Sequence, residues 1–422
     1  MKTITKQWEG AKFIEKPTGP VEWVCQAFAV PKKSATFPWR GVVDMRGVNS
    51  QTRRANYRLP SIENVLVKQG RNHIFSILDL RQAFHQQPMH PESCPLTCTM
   101  TPNGVYQWRV NVMGLMNAST QFQQMMDDRL EPVRDIADAY IDDVLVGTFV
   151  NEGEDPLEAH LRDLCRVLDL LGEESLIADI TKCKLFVREV EFCGHILGKG
   201  ARRPAPGKLM AIEKWERPRT ISELRAFLGF TNYYNTYIKE YSKIAAPLQD
   251  RLKVPSEIGK KGSKHKIEWG EIEQAAFDEL KRVLCSELVL QVVNPDKPFV
   301  LRVDSSEFAV GATLEQLLSE ERMPTTEDVR EKRTVPVAFL SRKLAGSQRN
   351  WVPRELETYA IILALHKWES WIVLQPMLVL TDRKALESWA TEVLDPAKRA
   401  NWPPAKVAPN PFQARLVRRV YS

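Results

Sequence analysis

A chain of 422 residues with 43% hydrophobic and 27% charged side chains has the makeup of a soluble globular protein with core enough for two or three domains. Its formal net charge is +6, and residues 199–297, with 19 Lys/Arg against 13 Asp/Glu, account for all of that excess, as suits a polyanionic partner such as nucleic acid. The longest apolar region, Tyr359 to Leu380, is broken by His366, Lys367 and Glu369, which excludes a membrane span, and the odd, scattered set of seven cysteines excludes a disulfide framework.

Phe13 to Val48 contains strand-like segments around Gln26–Val30 and Gly41–Val43, joined through a basic, Pro-containing stretch that includes Lys32, Lys33, Trp39 and Arg40. Asn56 to Pro60 leads into a helical segment, Ile62 to Gln69. From Phe75 a strand-like apolar run is interrupted by Asp79 and continues to Ala83-Phe84-His85-Gln86-Gln87; a lone charge in such a run needs a partner or a metal. Gly114 permits close backbone approach, and Asn117 to Arg129 reads as an amphipathic helix with Phe122, Met125 and Met126 inward.

Next comes Ala139-Tyr140-Ile141-Asp142-Asp143-Val144-Leu145-Val146-Gly147, which reads as strand, tight turn, strand with both acids at the turn. Neighbouring side chains of a strand point to opposite faces, so only a turn lets both acids approach one site. An Asp-Asp turn taken alone is most often just solvated. Asp79, 63 residues upstream, changes that reading, because three carboxylates on neighbouring strands can hold two hard divalent ions about 3.5–4 Å apart, as in phosphoryl transfer. Beyond it, a helix from Leu157 to Leu171 has Leu161, Leu164, Val167, Leu168 and Leu171 at helical spacing, and Thr181–Phe186 with Val190–Leu197 reads as a strand pair. Cys183, Cys193 and His195 lack a fourth ligand nearby, so zinc is not expected.

The Tyr-Ile-Asp-Asp turn, the Leu78-Asp79-Leu80…Ala83-Phe84-His85-Gln86 strand, and Gly114-Leu115-Met116-Asn117-Ala118 with Phe122 together resemble the palm of retroelement reverse transcriptases, nearest to gypsy-like long-terminal-repeat retrotransposons. The resemblance runs from roughly Phe13 to Trp389. It implies an RNA-directed DNA polymerase of α+β multidomain build, a right hand of fingers, palm and thumb followed by a truncated ribonuclease H-like α/β domain. Asp79, Asp142 and Asp143 would be the catalytic metal ligands for two Mg²⁺ (or Mn²⁺) ions. Arg40 and, with Lys32 as its rival, Lys33 would meet the nucleotide's phosphates; Phe84 would lie under the sugar and exclude a 2′-hydroxyl; Gly114 would approach the nucleotide. Where many members of the family have Pro-Phe, this chain has Val112-Met113, a change with a mild expected effect on template packing.

The segment around Phe192, Gly194 and His195 resembles the hairpin that grips a primer's 3′ end, and Lys182 stands as a candidate proton donor to pyrophosphate. Thr220-Ile221-Ser222-Glu223 is a capping box, and the helix after it, with Tyr233, Tyr234 and Tyr237, resembles a thumb. The basic stretch 259–268 reads as a flexible linker, with a nuclear localisation patch as the alternative. Further on, Asp304 in a strand, Glu357 (with Glu355 as rival) in a helix, and Asp382 after Met377–Thr381 resemble the first three metal ligands of a ribonuclease H domain. The charged stretch from Glu315 to Thr334 is expected to be an exposed loop.

The resulting division is 1–198 fingers and palm, 199–258 thumb, 259–268 linker, 269–395 ribonuclease H-like domain, and 396–422 an atypical basic, Pro-rich tail. That tail holds no Asp or Glu, so no fourth carboxylate is expected from it and hybrid cleavage is expected to be impaired. Expected partners are an RNA template, a DNA primer, the RNA–DNA hybrid and deoxynucleoside triphosphates. Without a signal-peptide pattern the expected location is intracellular, cytoplasmic with nuclear access. The competing reading is a catalytically inactive nucleic-acid-binding remnant of a decayed or domesticated element.

Overall fold

A computed structural model describes residues 1–32, 38–252, 266–267, 269–286, 288–306, 308–318, 320–372 and 375–381. Most of the linker at 259–268, and all of the tail at 396–422, lie outside the described residues. Two compact units divide the chain, Met1–Cys193 and Gly194–Ser422.

In the first unit, four strands form an antiparallel sheet in the order Ala137–Tyr140, Asp143–Thr148, Ile74–Asp79, Lys184–Val187. Every residue from Val144 to Thr148 is buried, which explains an apolar run without alternation: both faces of this strand are covered. The helices Ala118–Arg129 and Pro156–Glu173 contribute Phe122, Met126, Leu164, Val167 and Leu171 to one core with Leu78, Val144 and Val146. The predicted face of the second helix is only half right. Leu164, Val167 and Leu171 are buried, while Leu161 and Leu168 remain exposed at 52% and 42%, because the sheet covers a narrower stripe than the leucines span. A second, five-stranded sheet runs Ile14–Glu15, Gly104–Trp108, Thr99–Thr101, Cys25–Pro31, Trp39–Val43, around Trp108, whose indole N–H donates to Thr99 Oγ1 at 3.0 Å. The expected basic hairpin is present, with Ala29 opposite Gly41 and Val30 opposite Arg40. The expected helix Ile62–Gln69 is also present.

One polar cluster ties the first sheet to its helix. His160, on the Pro156–Glu173 helix, is fully buried between Ser76 Oγ (2.7 Å from Nε2) and Thr148 Oγ1 (2.8 Å from Nδ1). Thr148 donates its proton to Asp163 Oδ2 at 2.9 Å and so accepts from His160 Nδ1–H, which leaves Nε2 of a neutral ring to accept from Ser76. The neutral form is the one that burial favours, pushing the ring's pKa below the ordinary value.

In the second unit, helices Ile221–Tyr233, Tyr241–Asp250 and Glu271–Cys285 share a core that includes Leu224, Phe227, Tyr241, Leu248, Phe277 and Leu280. Thr220 caps the first of them as expected, its hydroxyl accepting from Glu223 N–H at 3.2 Å. The Glu223 carboxylate accepts from Arg219 N–H at 2.7 Å, one residue earlier than the motif implies. A separate sheet is ordered Thr334–Lys343, Ala309–Leu317, Phe299–Ser305, Met377–Leu380, antiparallel except for the last pair, which is parallel. Helix Pro353–Lys367 packs on its two central strands. Between Glu315 and Thr334 most of the described residues are exposed, as expected of a charged loop, with local structure at its start and middle. Glu315 to Leu317 belong to a strand, and Asp328, 1% exposed, accepts from Arg322, Arg333 and Thr325; Arg322 first and then Thr325 hold its carboxyl far below the usual range. The charges neutralise one another around a short capped helix, Thr326–Arg330. Among the described residues no helix is long and apolar enough to cross a membrane.

His160→Phe retains volume but strips two hydroxyls of their ring partner. Urea unfolding of the variant should show a loss of about 1–3 kcal/mol. A histidine whose folded pKa is depressed leaves stability whole above its ordinary value of about 6.5 and erodes it as pH falls below that. The variant's midpoint should therefore fall less between pH 7 and pH 5 than the parent's. An unchanged midpoint at pH 7 would show that the hydroxyls find other partners.

Candidate active sites

Asp79 is the last residue of its strand, and the sheet register sets it directly opposite Asp143, the first residue of the next. Asp142 occupies the turn before Asp143, and its carbonyl accepts from Leu80 N–H at 3.0 Å, fastening the turn to the strand end. The three acids are thereby brought to one edge of one sheet. Asp143 is half-buried, and its carboxyl is pushed up to about 6 by that burial first, then by Asp142 and Asp79, with Lys182 acting the other way. The Lys182 ammonium lies 2.8 Å from Asp79 Oδ1 and 3.9 Å from Asp179 Oδ2, and its bond to Asp79 raises its own pKa.

Clustered, undercompensated carboxylates are the chemistry of a hard divalent cation site, and their oxygen-only character suits Mg²⁺ or Mn²⁺. In charge and donor type the residues fit. In geometry they are not closed up: among the described residues no three His, Cys, Asp or Glu side chains stand near enough to hold a metal ion. Asp79 is engaged by Lys182 instead.

The turn itself is held in an uncommon conformation. Ile141 has φ of 58°, in the left-handed region where a β-branched residue is a marked outlier. Gln123, fully buried on the Ala118–Arg129 helix, holds it there: its Oε1 accepts from Ile141 N–H at 2.7 Å, while Nε2 donates to Ala139 O at 3.0 Å and Asp127 Oδ1 at 2.9 Å. Sequence reasoning passed over Gln123. The available signal was a neutral amide on the buried face of an amphipathic helix, next to Phe122.

Phe84 is half-buried and meets Phe122 edge-on, ring centroids 5.6 Å apart. Arg40 is exposed on its strand. Gly114 adopts φ of 105°, which a side chain would strain, and Asn49 brackets it, donating to Gly114 O at 2.8 Å and accepting from Met116 N–H at 2.8 Å. Lys33 lies outside the described residues.

Of the expected primer-contacting residues, Phe192 in the first unit is 1% exposed. In the second, His195 is buried with Nδ1 2.9 Å from Tyr237 Oη, and Tyr234 is buried with its hydroxyl donating to Gly194 O at 3.0 Å. Burial at this level fits these three side chains for shaping the backbone rather than for touching a ligand. Gly194, with φ of 78°, and Tyr233, 44% exposed, remain as surface groups.

In the ribonuclease H-like sheet, Asp304 is exposed on the strand Phe299–Ser305, opposite Gly311. Glu357 is 2% exposed in helix Pro353–Lys367 and accepts from the Thr381 hydroxyl. Its rival Glu355 caps the same helix, its carboxylate 3.3 Å from Val352 N. Asp382 lies outside the described residues.

Residues 30–197 match the family model for reverse transcriptase (RNA-dependent DNA polymerase), and residues 269–379 match that for an RNase H-like domain found in reverse transcriptase. The chain is 30% identical over 380 residues to the Retrovirus-related Pol polyprotein from transposon 297 of Drosophila melanogaster, covering 89% of this chain and 33% of that protein. It is 32% identical over 345 residues to the counterpart from transposon opus, covering 81% and 33%. The Transposon Tf2-3 polyprotein of Schizosaccharomyces pombe is 28% identical, covering 90% and 27%. This chain thus spans about a third of the length of these relatives. Two solved structures of a foamy viral protease-reverse transcriptase share its fold at 20% identity. One, in complex with double-stranded DNA, has a TM-score of 0.75 over 92% of this chain and 63% of that one; the other, in complex with an RNA/DNA hybrid, has 0.72 over 92% and 49%.

Gln123→Leu should keep the helix packed while releasing the Ile141 turn. The single-turnover rate of primer extension should fall about tenfold or more, with duplex affinity unchanged. A parental rate would show that strand pairing alone holds the turn.

Proposed function

We propose that this chain, which carries a reverse transcriptase domain followed by an RNase H-like domain of the long-terminal-repeat retrotransposon Pol type, copies an RNA template into DNA by extending a primer with deoxynucleoside triphosphates. The observation that carries the proposal is the juxtaposition of Asp79 and Asp143 across two paired strands, with Asp142 in the turn that leads into Asp143, inside the matched reverse transcriptase region. Reverse transcriptases are in general divalent-metal dependent. Asp79, Asp142 and Asp143 would hold two such ions, whose Lewis acidity would stabilise charge developing at the transferred phosphate.

The chain's own residues supply the rest. Arg40 offers a guanidinium fork for phosphate oxygens. Phe84, backed by Phe122, supplies a flat apolar floor for a deoxyribose with no partner for a 2′-hydroxyl. Gly114, fixed by Asn49, keeps one backbone stretch free of side chain. Helices of the second unit are read as the thumb, whose phosphate-backbone contacts position a duplex without reading its sequence. Asp304, Glu357 and Asp382 are proposed as ligands for hydrolysis of the RNA strand of a hybrid, with the buried Glu357 favoured over the capping Glu355.

Three assays bear on this reading. Asp142→Asn should abolish primer extension on an RNA template and leave duplex binding largely intact; retained synthesis would remove Asp142 from the metal site. Phe84→Val should let ribonucleotides compete better with modest loss of deoxynucleotide use, and an unchanged ratio would return Phe84 to the core. Hybrid cleavage by this 422-residue polypeptide should be much slower than synthesis, since residues 396–422 offer no acid to complete the nuclease site. Cleavage as fast as synthesis would defeat that last expectation.

A further inference from the structure

We propose that Lys182 is a built-in, displaceable cation for the palm carboxylates, holding Asp79 until a divalent ion takes its place and so setting how much free ion the site needs to load. The proposal rests on the polymerase reading of that site.

The backbone carrying Lys182 is fixed to the strand end that bears Asp79. Asp179 N–H donates to the main-chain carbonyl of Asp79 at 2.8 Å. Asp179 Oδ1 in turn accepts from Thr181 N–H at 3.2 Å and Thr181 Oγ1 at 2.6 Å, and Lys182 N–H donates to Asp179 O at 2.9 Å. The main chain at Lys182 is thus pinned, and the four-carbon side chain is the part left to move. Its ammonium reaches Asp79 Oδ1 at 2.8 Å while the side chain stays 57% exposed.

An exposed ion pair of this kind is weak, because water screens it and the long side chain loses freedom in making it. One positive charge also falls short of three neighbouring carboxylates. A divalent ion brings twice the charge and takes several oxygens at once, so it outcompetes the ammonium wherever Asp79 is one of its ligands. Until then Asp79 is committed to Lys182, which accounts for three acids that share one edge without forming a ligand set. A purely structural ion pair, serving only to hold residues 177–182 on the strand end, would leave metal affinity indifferent to Lys182.

The test is Mn²⁺ binding to the full 422-residue chain, followed by electron paramagnetic resonance of the free ion. Lys182→Met removes the ammonium and keeps the stem, and should tighten binding about threefold or more, as expected for removal of a weak exposed competitor. Lys182→Arg should stay close to the parent. Asp142→Asn serves as the control for location. If Asp142→Asn weakens binding and Lys182→Met leaves it unchanged or weaker, the displaceable-cation proposal is overturned while the polymerase reading stands. If Mn²⁺ binding ignores Asp142→Asn, the polymerase reading fails and this proposal with it. Urea midpoints of both Lys182 variants should match the parent, and a drop confined to Lys182→Met with unaltered Mn²⁺ affinity would assign the pair a structural role instead.

Discussion

Mutual repulsion among Asp79, Asp142 and Asp143 is the constraint around which the first unit is built. Left to itself, such a group would drive its members apart or take up protons, and Asp142 and Asp79 add to the upward push that burial already gives the Asp143 carboxyl. The sheet resists it in two ways. Ladder pairing fixes Asp79 against Asp143, and a turn clamped by Leu80 and Gln123 fixes Asp142. A scaffold that keeps three like charges together with the Lys182 ammonium beside them has done the ordering work in advance, so an arriving ion meets donors whose backbones need not move.

Supporting groups are arranged in depth. Gln123 reaches the turn from a helix whose apolar face is in the core, and its own amide is held by Asp127. Tyr57 donates to that same Asp127, linking the turn to the chain before strand Ile74–Asp79. Asn49 and Asn117 perform a similar service around Gly114–Asn117: Asn117 accepts from Ala55 N–H at 3.0 Å and donates to Arg53 O at 2.8 Å. Neutral amides suit these positions, since each gives and accepts at once and adds no charge to a site already crowded with it.

The acids were legible in sequence because their chemistry breaks local pattern: a charge inside an apolar strand, with a charge pair at a nearby turn, is costly unless a cation compensates it. Helix Ile62–Gln69 was legible as the helical segment after Pro60, and helix Ile221–Tyr233 through its cap. Gln123 and the Lys182–Asp79 pair were not, since the latter joins residues 103 apart and leaves no trace in any window of sequence. Glu315–Thr334 was legible as an exposed charged stretch, but the burial of Asp328 within it was not, since that acid gathers one arginine from either side of itself. Leu161 and Leu168 misled through excess periodicity, because the hydrophobic repeat extends past the surface that the sheet can cover.

Those two leucines, with Leu157 at 59% exposure, give helix Pro156–Glu173 an oily outer face as well as an oily inner one. The inner face governs whether the unit folds; the outer face governs how the folded polypeptide behaves in a concentrated solution. Together with other exposed apolar side chains such as Ile177, Ile180 and Ile272, these three leucines bear on the handling of the protein at the bench more than on its fold.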